Sequence, residues 1–307
     1  MCIMNIVSWN VNGIRSRIFN ELISSKLKKN DKLYPVEGSA IHSLLKLDPD
    51  IICLQETRCS IAKSDIISIP GYNMYFNESK LDGARAADRY SGTCIFYKTG
   101  IKPTFETQIP GYEDLEGRII IMKFNDITLI NVYAPNSGTN YENKIKFNDK
   151  LRDFLNVTDG KVILCGDLNV AKETHFDQSK CIPGPGTYPH ELKFIEDIKR
   201  LDFIDTMKCD IVYTWWDPRQ VKENGMSRTR NRNKGWRLDY FFTKNINHNY
   251  SKCLKYIGEN NDGIPLSSDH APVILHWEEG DWGKHAALGS HLGSTVQSND
   301  SGENGDH

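Results

Sequence analysis

Ten short runs rich in β-branched and aromatic residues punctuate this chain, and several are apolar on both faces: NIVSWNV, DIICLQE, YNMYFN, GTCIFYK, RIIIMKF, ITLINVYA, KVILCGDLN, YTWW, RLDYFFT and PVILHW. A strand that is apolar on both sides must be covered on both sides, so such runs belong to the central strands of buried sheets. Helical periodicity lies between them, over roughly 15–29, 39–47, 141–156 and 189–200. The last of these opens on Pro189 and carries acids in its early turns. About ten strands with four or so helices predict an α/β fold, a four-layer α/β sandwich of two packed mixed β-sheets flanked by helices. No internal repeat is visible.

With 307 residues, 39% of them hydrophobic, the chain can bury a full core in one large domain or two small ones. Its eight cysteines include no C-x-x-C pair, and several lie inside apolar runs such as IICLQ and VILCG. They read as buried reduced thiols of an intracellular protein, not as a disulfide frame or a zinc site. No stretch approaches the eighteen or so apolar residues of a membrane span, and MCIMNIVSWN lacks the parts of a signal peptide, so neither membrane nor secretion is expected. The formal net charge of −2 argues at first against a polyanionic partner. From Glu278 onward, however, six acids face a single Lys284, a balance of −5 that leaves residues 1–277 at +3. Residues 278–307 are rich in Gly, Ser and acids and read as a disordered tail, which places the folded domain at 1–277. Two polar stretches, 24–32 and 217–235, interrupt the domain and read as exposed surface. The second is strongly basic.

Polar residues end the apolar runs. Asn10 ends IVSW and Asn12 follows; Glu56 ends IICLQ; Asp167 and Asn169 end VILCG; Asp269 and His270 precede VILHW. Strand ends are where α/β folds place reacting groups. Each residue alone is better explained as a turn former. Together, hard oxygen ligands at several strand ends, with a His beside an Asp, predict a Mg²⁺ or Mn²⁺ site with a general base or phosphate-charge stabiliser. Asp239 lies among Leu238, Tyr240 and Phe241 and needs a partner if buried. Either it orients a histidine, or it pairs with Arg237 or another base.

Nine segments in order, SWNVNGIRS, DIICLQETR, YSGTCIFYK, LEGRIII, NVYAPNSG, CGDLNVA, YTWW, GWRLDYFF and SSDHAPV, resemble the exonuclease III type of AP endonuclease. That group is a branch of the endonuclease/exonuclease/phosphatase superfamily, and the resemblance covers nearly all of residues 5–277. It implies metal ligation by Glu56 with Asn10 beside it, Asn12 where the family has Asp or Asn, and Asp269 as a further or water-mediated ligand. It implies phosphate contact by His270 with Asp239 as its orienting acid, water activation and phosphate binding by Asp167 and Asn169, and further phosphate contacts by Tyr133 and Asn136. Which of Asp167 and His270 acts as base stays open at this level.

The same superfamily core serves many phosphodiesters. Trp215, Trp236 and Leu238 align with the apolar pocket that receives a flipped, baseless sugar, a residue cheap to extrude because it has lost its stacking. The alternative is that both tryptophans are core. Two departures stand out: Thr139 replaces an Arg common after PN-x-G, and the 217–235 loop is long and basic. Arg228, Arg230, Arg232 and Lys234 in that loop are candidate DNA contacts, with a solvated surface loop as the equal alternative. The resemblance implies a monomeric class II AP endonuclease of base excision repair. Such an enzyme incises duplex DNA 5′ to abasic sites with Mg²⁺, with 3′-phosphodiesterase or 3′-to-5′ exonuclease activity as an addition. The alternatives are a retroelement-type nicking, RNA or tyrosyl-DNA phosphodiesterase on the same fold, and a non-catalytic DNA-binding module.

Overall fold

A computed structural model describes residues 2–15, 34–35, 37, 39–64, 67–83, 86, 88, 90–207, 212–219, 222–223, 226–247, 249–254 and 268–279. One six-stranded sheet has the order β13-β14-β1-β2-β4-β3. Its strands are β1 (Cys2–Asn10), β2 (Ile51–Gln55), β3 (Tyr72–Asn77), β4 (Thr93–Lys98), β13 (Asn249–Cys253) and β14 (Val273–Glu279). The other, β5-β6-β7-β8-β12-β9, holds β5 (Thr104–Glu106), β6 (Ile119–Phe124), β7 (Ile127–Tyr133), β8 (Lys161–Asp167), β9 (Ile204–Asp205) and β12 (Asp239–Lys244). Both sheets are mixed: β1 runs parallel to β2 and β7 to β8, and the remaining pairings within the sheets are antiparallel.

Period-two alternation sorts the side chains into layers. Ile6, Ile51, Cys53, Ile163, Cys165, Phe241 and Leu275 meet between the sheets. Val7, Trp9, Ile52, Leu54 and Ile274 point the other way, under the Ala40–Leu45 helix and Trp216. Val162, Leu164, Tyr240 and Phe242 face outward from the second sheet, beneath the Tyr141–Val157 and Pro189–Arg200 helices. This is the expected four-layer sandwich. Parity also determines where the polar strand ends go. Ser8 and Asn10 extend the inner row of Ile6, Gln55 that of Ile51 and Cys53, Asp167 that of Ile163 and Cys165, and Asp239 that of Phe241. The layer between the sheets therefore turns polar toward one end. Gln55 Nε2 donates to Ser8 Oγ at 3.0 Å and across the layer to Asn131 Oδ1 at 2.7 Å, while Asn131 Nδ2 reaches the carbonyls of Leu54 and Cys94 at 3.2 Å.

Three of the four expected helices form at Ala40–Leu45, Tyr141–Val157 and Pro189–Arg200. Of the 15–29 helix only Arg15 is described, in helical conformation; 16–29 and the polar stretch 24–32 lie outside the described residues. YTWW is not a regular strand. Trp215 makes only single bridges, to Trp236 and to His270, among the described residues. The sandwich also runs past the expected boundary: Glu278 and Glu279, assigned to the tail, pair with Ile3 and Cys2. Residues 280–307 lie outside the described ones. The 217–235 stretch holds a two-strand ribbon, β10 (Lys222–Glu223) with β11 (Met226–Ser227), and an Arg228–Asn231 helical turn. Cys53, Cys59, Cys94 and Cys165 are buried free thiols as expected, whereas Cys181 is exposed. Among the described residues no helix is long and apolar enough to cross a membrane.

Candidate active site

Three neighbouring strands of the second sheet bring Tyr133, Asp167 and Asp239 into one row, since Asp167 is the register partner of both others. Opposite them, β1 and β2 end at Asn10 and just before Glu56, and the segment before β14 carries Asp269 and His270. Sharp turns at the strand ends hold these groups: Asn12, Glu56 and Asn169 have φ of 47°, 49° and 48°. Two are Asn, which tolerates that region, but Glu56 is held there at a cost in backbone strain. Gly166, with φ of 129°, lets β8 approach β7 just before Asp167. A Cβ there would lie 1.9 Å from the Val132 carbonyl oxygen.

His270 sits at the centre. Its Nδ1 lies 2.8 Å from Asp239 Oδ2 and its Nε2 3.8 Å from Asp167 Oδ2, and all three residues are buried. Burial alone would strip the proton from the imidazole, but Asp239 and Asp167 outweigh it and lift the pKa to about 10. Burial, reinforced by Asp239 and opposed by His270, lifts Asp167 to about 7. The segment carrying His270 is clamped to β1: Ser268 Oγ donates to the Asn10 carbonyl at 2.6 Å, and Trp9 Nε1 to the His270 carbonyl at 3.2 Å. Asp239 does not pair with Arg237. That guanidinium lies against Asp205 and Glu173 and stacks on Tyr240.

Asn10 links the two sheets. Its Nδ2 donates to Glu56 Oε1 at 3.0 Å and to Asp167 Oδ2 at 2.9 Å, and its Oδ1 accepts from Asn12 N–H at 3.1 Å. Asn12 Nδ2 in turn donates to Asp269 Oδ1 at 3.0 Å, and Trp215 Nε1 to Asp269 Oδ2 at 2.9 Å. Burial acts to raise the Asp269 pKa, yet His270 and these two donors hold it below the usual carboxylate value. The four residues predicted to hold a metal thus form one continuous chain, Glu56–Asn10–Asn12–Asp269.

Asp167, Asp239 and His270 also bring their ligand atoms within 4.8 Å of one another. An imidazole that keeps its proton has no lone pair to offer, so a cation is better placed on the Glu56 side of Asn10 than at this cluster. Four carboxylates (Glu56, Asp167, Asp239 and Asp269) face the cations Arg58 and His270 here. That excess of hard, anionic oxygen suits a divalent ion.

Asn169 N–H donates to Asp167 Oδ1 at 2.9 Å, and its Nδ2 to the Ala134 carbonyl at 2.9 Å; Asn136 Nδ2 reaches Asn169 Oδ1 at 3.3 Å. Behind this turn the fully buried Lys144 donates to the Leu168 carbonyl, and burial lowers its pKa to about 8. Burial keeps the Tyr133 phenol protonated, with Glu56 and Asp167 adding to the shift.

Arg118 was not singled out in the sequence. It is buried, its guanidinium lies 4.7 Å from the Tyr133 ring centroid, and it donates to the Tyr133 carbonyl and to Tyr90 Oη at 3.0 and 2.9 Å. Its place within LEGRIII was the available signal.

Trp215 and Trp236 are half-buried, with ring centroids 5.5 Å apart, and Leu238, two residues on from Trp236, is buried. The core tryptophan of YTWW is Trp216. Phe176, also missed, sets its ring edge-on to Trp236 at 5.9 Å. Of the basic loop, Arg228, Arg232 and Lys234 are exposed. Arg230 is not: it is 4% exposed, lies 4.6 Å from the Trp216 centroid and donates to the Ser268 carbonyl at 2.8 Å. A guanidinium covered by an indole and committed to a carbonyl is a structural tie, so its assignment as a DNA contact is withdrawn.

The chain matches the Endonuclease/Exonuclease/phosphatase family over residues 7–270. It is 30% identical over 286 residues to the exodeoxyribonuclease of Bacillus subtilis, covering 89% of this chain and 98% of that one. It is also 30% identical over 290 residues to the DNA repair nuclease APEX1 of Danio rerio, covering 89% and 81%. The solved AP endonuclease LMAP of Leishmania major shares the fold, with a TM-score of 0.67 at 23% identity over 90% of this chain and 88% of that one. The matched stretch contains every residue of the site from Asn10 to His270, and the chain belongs to the endonuclease/exonuclease/phosphatase family.

Proposed function

We propose that this chain is a class II AP endonuclease that hydrolyses the phosphodiester 5′ to an abasic residue in duplex DNA and leaves a 3′-hydroxyl, in the setting of base excision repair. The observation that carries the reading is a buried imidazole held between Asp239 and Asp167, beside a half-buried Trp215–Trp236 wall. Trp215 belongs to both parts, since its backbone bridges to His270 and its indole holds Asp269. The relatives named exodeoxyribonuclease and DNA repair nuclease support the same reading and favour an accompanying 3′-to-5′ exonuclease activity.

The residues divide the chemistry. His270 keeps its proton at neutral pH, which suits it to neutralise charge on the phosphate oxygens and makes it a poor base. Asp167 titrates near 7 and is the group able to orient water and take its proton. Asn169, Asn136 and Tyr133 line the same end as donors to the remaining oxygens. Mg²⁺, or Mn²⁺ in its place, would supply positive charge for the leaving oxygen, held by Glu56 and Asn10 with Asp269 and Asn12 beside them. Trp215, Trp236 and Leu238 form the wall for the extruded sugar.

A labelled duplex with a central tetrahydrofuran residue tests the reading. Mg²⁺-dependent nicking 5′ to that residue is expected, abolished by EDTA and lost in His270→Ala. Cutting of a tyrosyl-DNA or RNA substrate while this duplex stays intact would favour the other phosphodiesterases. Binding without cutting would favour a non-catalytic module. Independently of activity, Mg²⁺ at a hundredfold excess over its Kd is expected to stabilise the folded protein by about 2.7 kcal/mol. That shift should shrink in Glu56→Gln.

A further inference from the structure

One buried charge has no part in the chemistry assigned above. The buried residues of the Tyr141–Val157 helix are Lys144, Phe147, Asn148, Leu151 and Leu155, a stripe at helical spacing whose first position would suit another apolar side chain. Lys144 fills it instead and is fully buried. An ammonium taken out of water costs stability unless it is hydrogen-bonded and its charge is answered. Its Nζ donates to the Leu168 carbonyl at 2.5 Å. Burial lowers its pKa to about 8, and the carboxylates of Glu191 and Asp167 act to raise it, so the amine keeps its charge at neutral pH. Glu191 is also fully buried, at the start of the Pro189–Arg200 helix, where one of its oxygens accepts from the Tyr188 N–H at 3.0 Å.

The Leu168 carbonyl belongs to the same peptide group as the Asn169 N–H, which donates to Asp167 Oδ1 at 2.9 Å. One side of that peptide is therefore held by Lys144, and the other holds the carboxylate assigned to the attacking water. The adjacent backbone groups are anchored without Lys144: the Asp167 carbonyl accepts from Ala134 N–H at 2.8 Å, and Leu168 N–H donates to the Leu238 carbonyl at 2.9 Å. Asn169 has a φ of 48°, in the left-handed region. A flip of the Leu168–Asn169 peptide would return this angle to ordinary negative values and turn the N–H away from Asp167. The bond from Lys144 opposes that flip. An ammonium on the carbonyl also polarises the peptide, which makes its N–H a stronger donor.

We propose that Lys144 is a positioning residue for phosphodiester hydrolysis: by fixing the Leu168–Asn169 peptide it holds the Asp167 carboxylate and the Asn169 amide in the orientation that serves the attacking water. It rests on the role given to Asp167 in the endonuclease reading above and adds a side chain from an outer helix that touches neither DNA nor metal. A purely structural lysine would contribute to stability alone. A positioning lysine sets the rate of the chemical step, and it leaves duplex binding unchanged because the DNA does not meet a group buried behind the turn.

Three measurements on each protein test it: single-turnover incision of the tetrahydrofuran duplex in Mg²⁺, the Kd of that duplex in EDTA, and a thermal melt. Lys144→Met is expected to slow incision roughly 10- to 100-fold at a nearly unchanged Kd. Lys144→Arg keeps a charged donor and is expected to recover most of the rate. Leu155→Ala empties a fully buried position on the same stripe away from the turn, and is expected to lower the melting temperature while incising at the wild-type rate below it. If Lys144→Met gives no cooperative melt, Lys144→Gln is read in its place by the same criteria. Wild-type incision by the Lys144 variant, a loss confined to Kd, slowing that Lys144→Arg does not relieve, or equal slowing in Leu155→Ala overturns the positioning role and leaves the endonuclease reading intact. No incision of this duplex by wild type overturns both.

Discussion

His270 draws its character from two carboxylates that reach it along different strands. Asp239 fixes Nδ1 and Asp167 faces Nε2, and the pair retain the imidazole's proton against the pull of burial. An amide at position 239 would keep the shape but release the charge and free the tautomer. Asp239→Asn is therefore expected to lower turnover by about 10²–10⁴-fold while leaving KM nearly unchanged, as checked by single-turnover incision. In the sequence Asp239 could equally have paired with Arg237. The choice is made by Asp205 and Glu173, which hold that guanidinium, and by Thr214, whose hydroxyl accepts from the Leu238 and Asp239 N–H groups. Asp205 and Glu173 are remote in sequence from Arg237, so no local pattern could have revealed them.

The basic 217–235 segment shows what an element adds. Read as a string of charges, Arg228, Arg230, Arg232 and Lys234 look equivalent. The helical turn at Arg228–Asn231 separates them, turning Arg230 inward onto Trp216 and leaving Arg228, Arg232 and Lys234 in solvent. If the exposed three each contact a phosphate, neutralising them together is expected to flatten the log K versus log salt slope by roughly 3 units, at about 0.9 per contact. An unchanged slope would leave the segment as plain surface. Arg230→Met is expected to do the reverse, lowering the melting temperature with no change of slope, because its bond to the Ser268 carbonyl supports the turn that carries His270.

At the scale of the molecule, placing carboxylates and a histidine at the buried end of a two-sheet layer makes stability depend on pH. The folded-state pKa of His270 is raised from 6.5 to about 10, so its proton is held more tightly folded than unfolded. Its stabilisation is complete below about pH 6.5 and is lost as pH rises through 10. The metal-free protein is expected to lose stability between pH 7 and 9.5, by up to about 1.4 kcal/mol per pH unit from this one proton. Thermal melts in EDTA would show it, and His270→Gln should flatten the decline. Asp167, raised from 3.8 to about 7, adds a loss of the same sign at lower pH.

Much of this was legible in one dimension, and the physical reason is local. Apolar runs have to be covered, so the strands and the two-sheet sandwich followed from them. Period-two parity then carries Asn10, Asp167 and Asp239 into the inner layer, and Glu56 directly follows an inner-row residue. What only the tertiary structure decided are the partners supplied from far along the chain. These are the Asn10 amide shared by Glu56 and Asp167, Arg118 against Tyr133, Phe176 against Trp236, and the burial of Arg230. Strand identity depends on neighbours a few residues away, whereas the charge state of a buried group depends on whichever side chains the fold brings within a few ångströms.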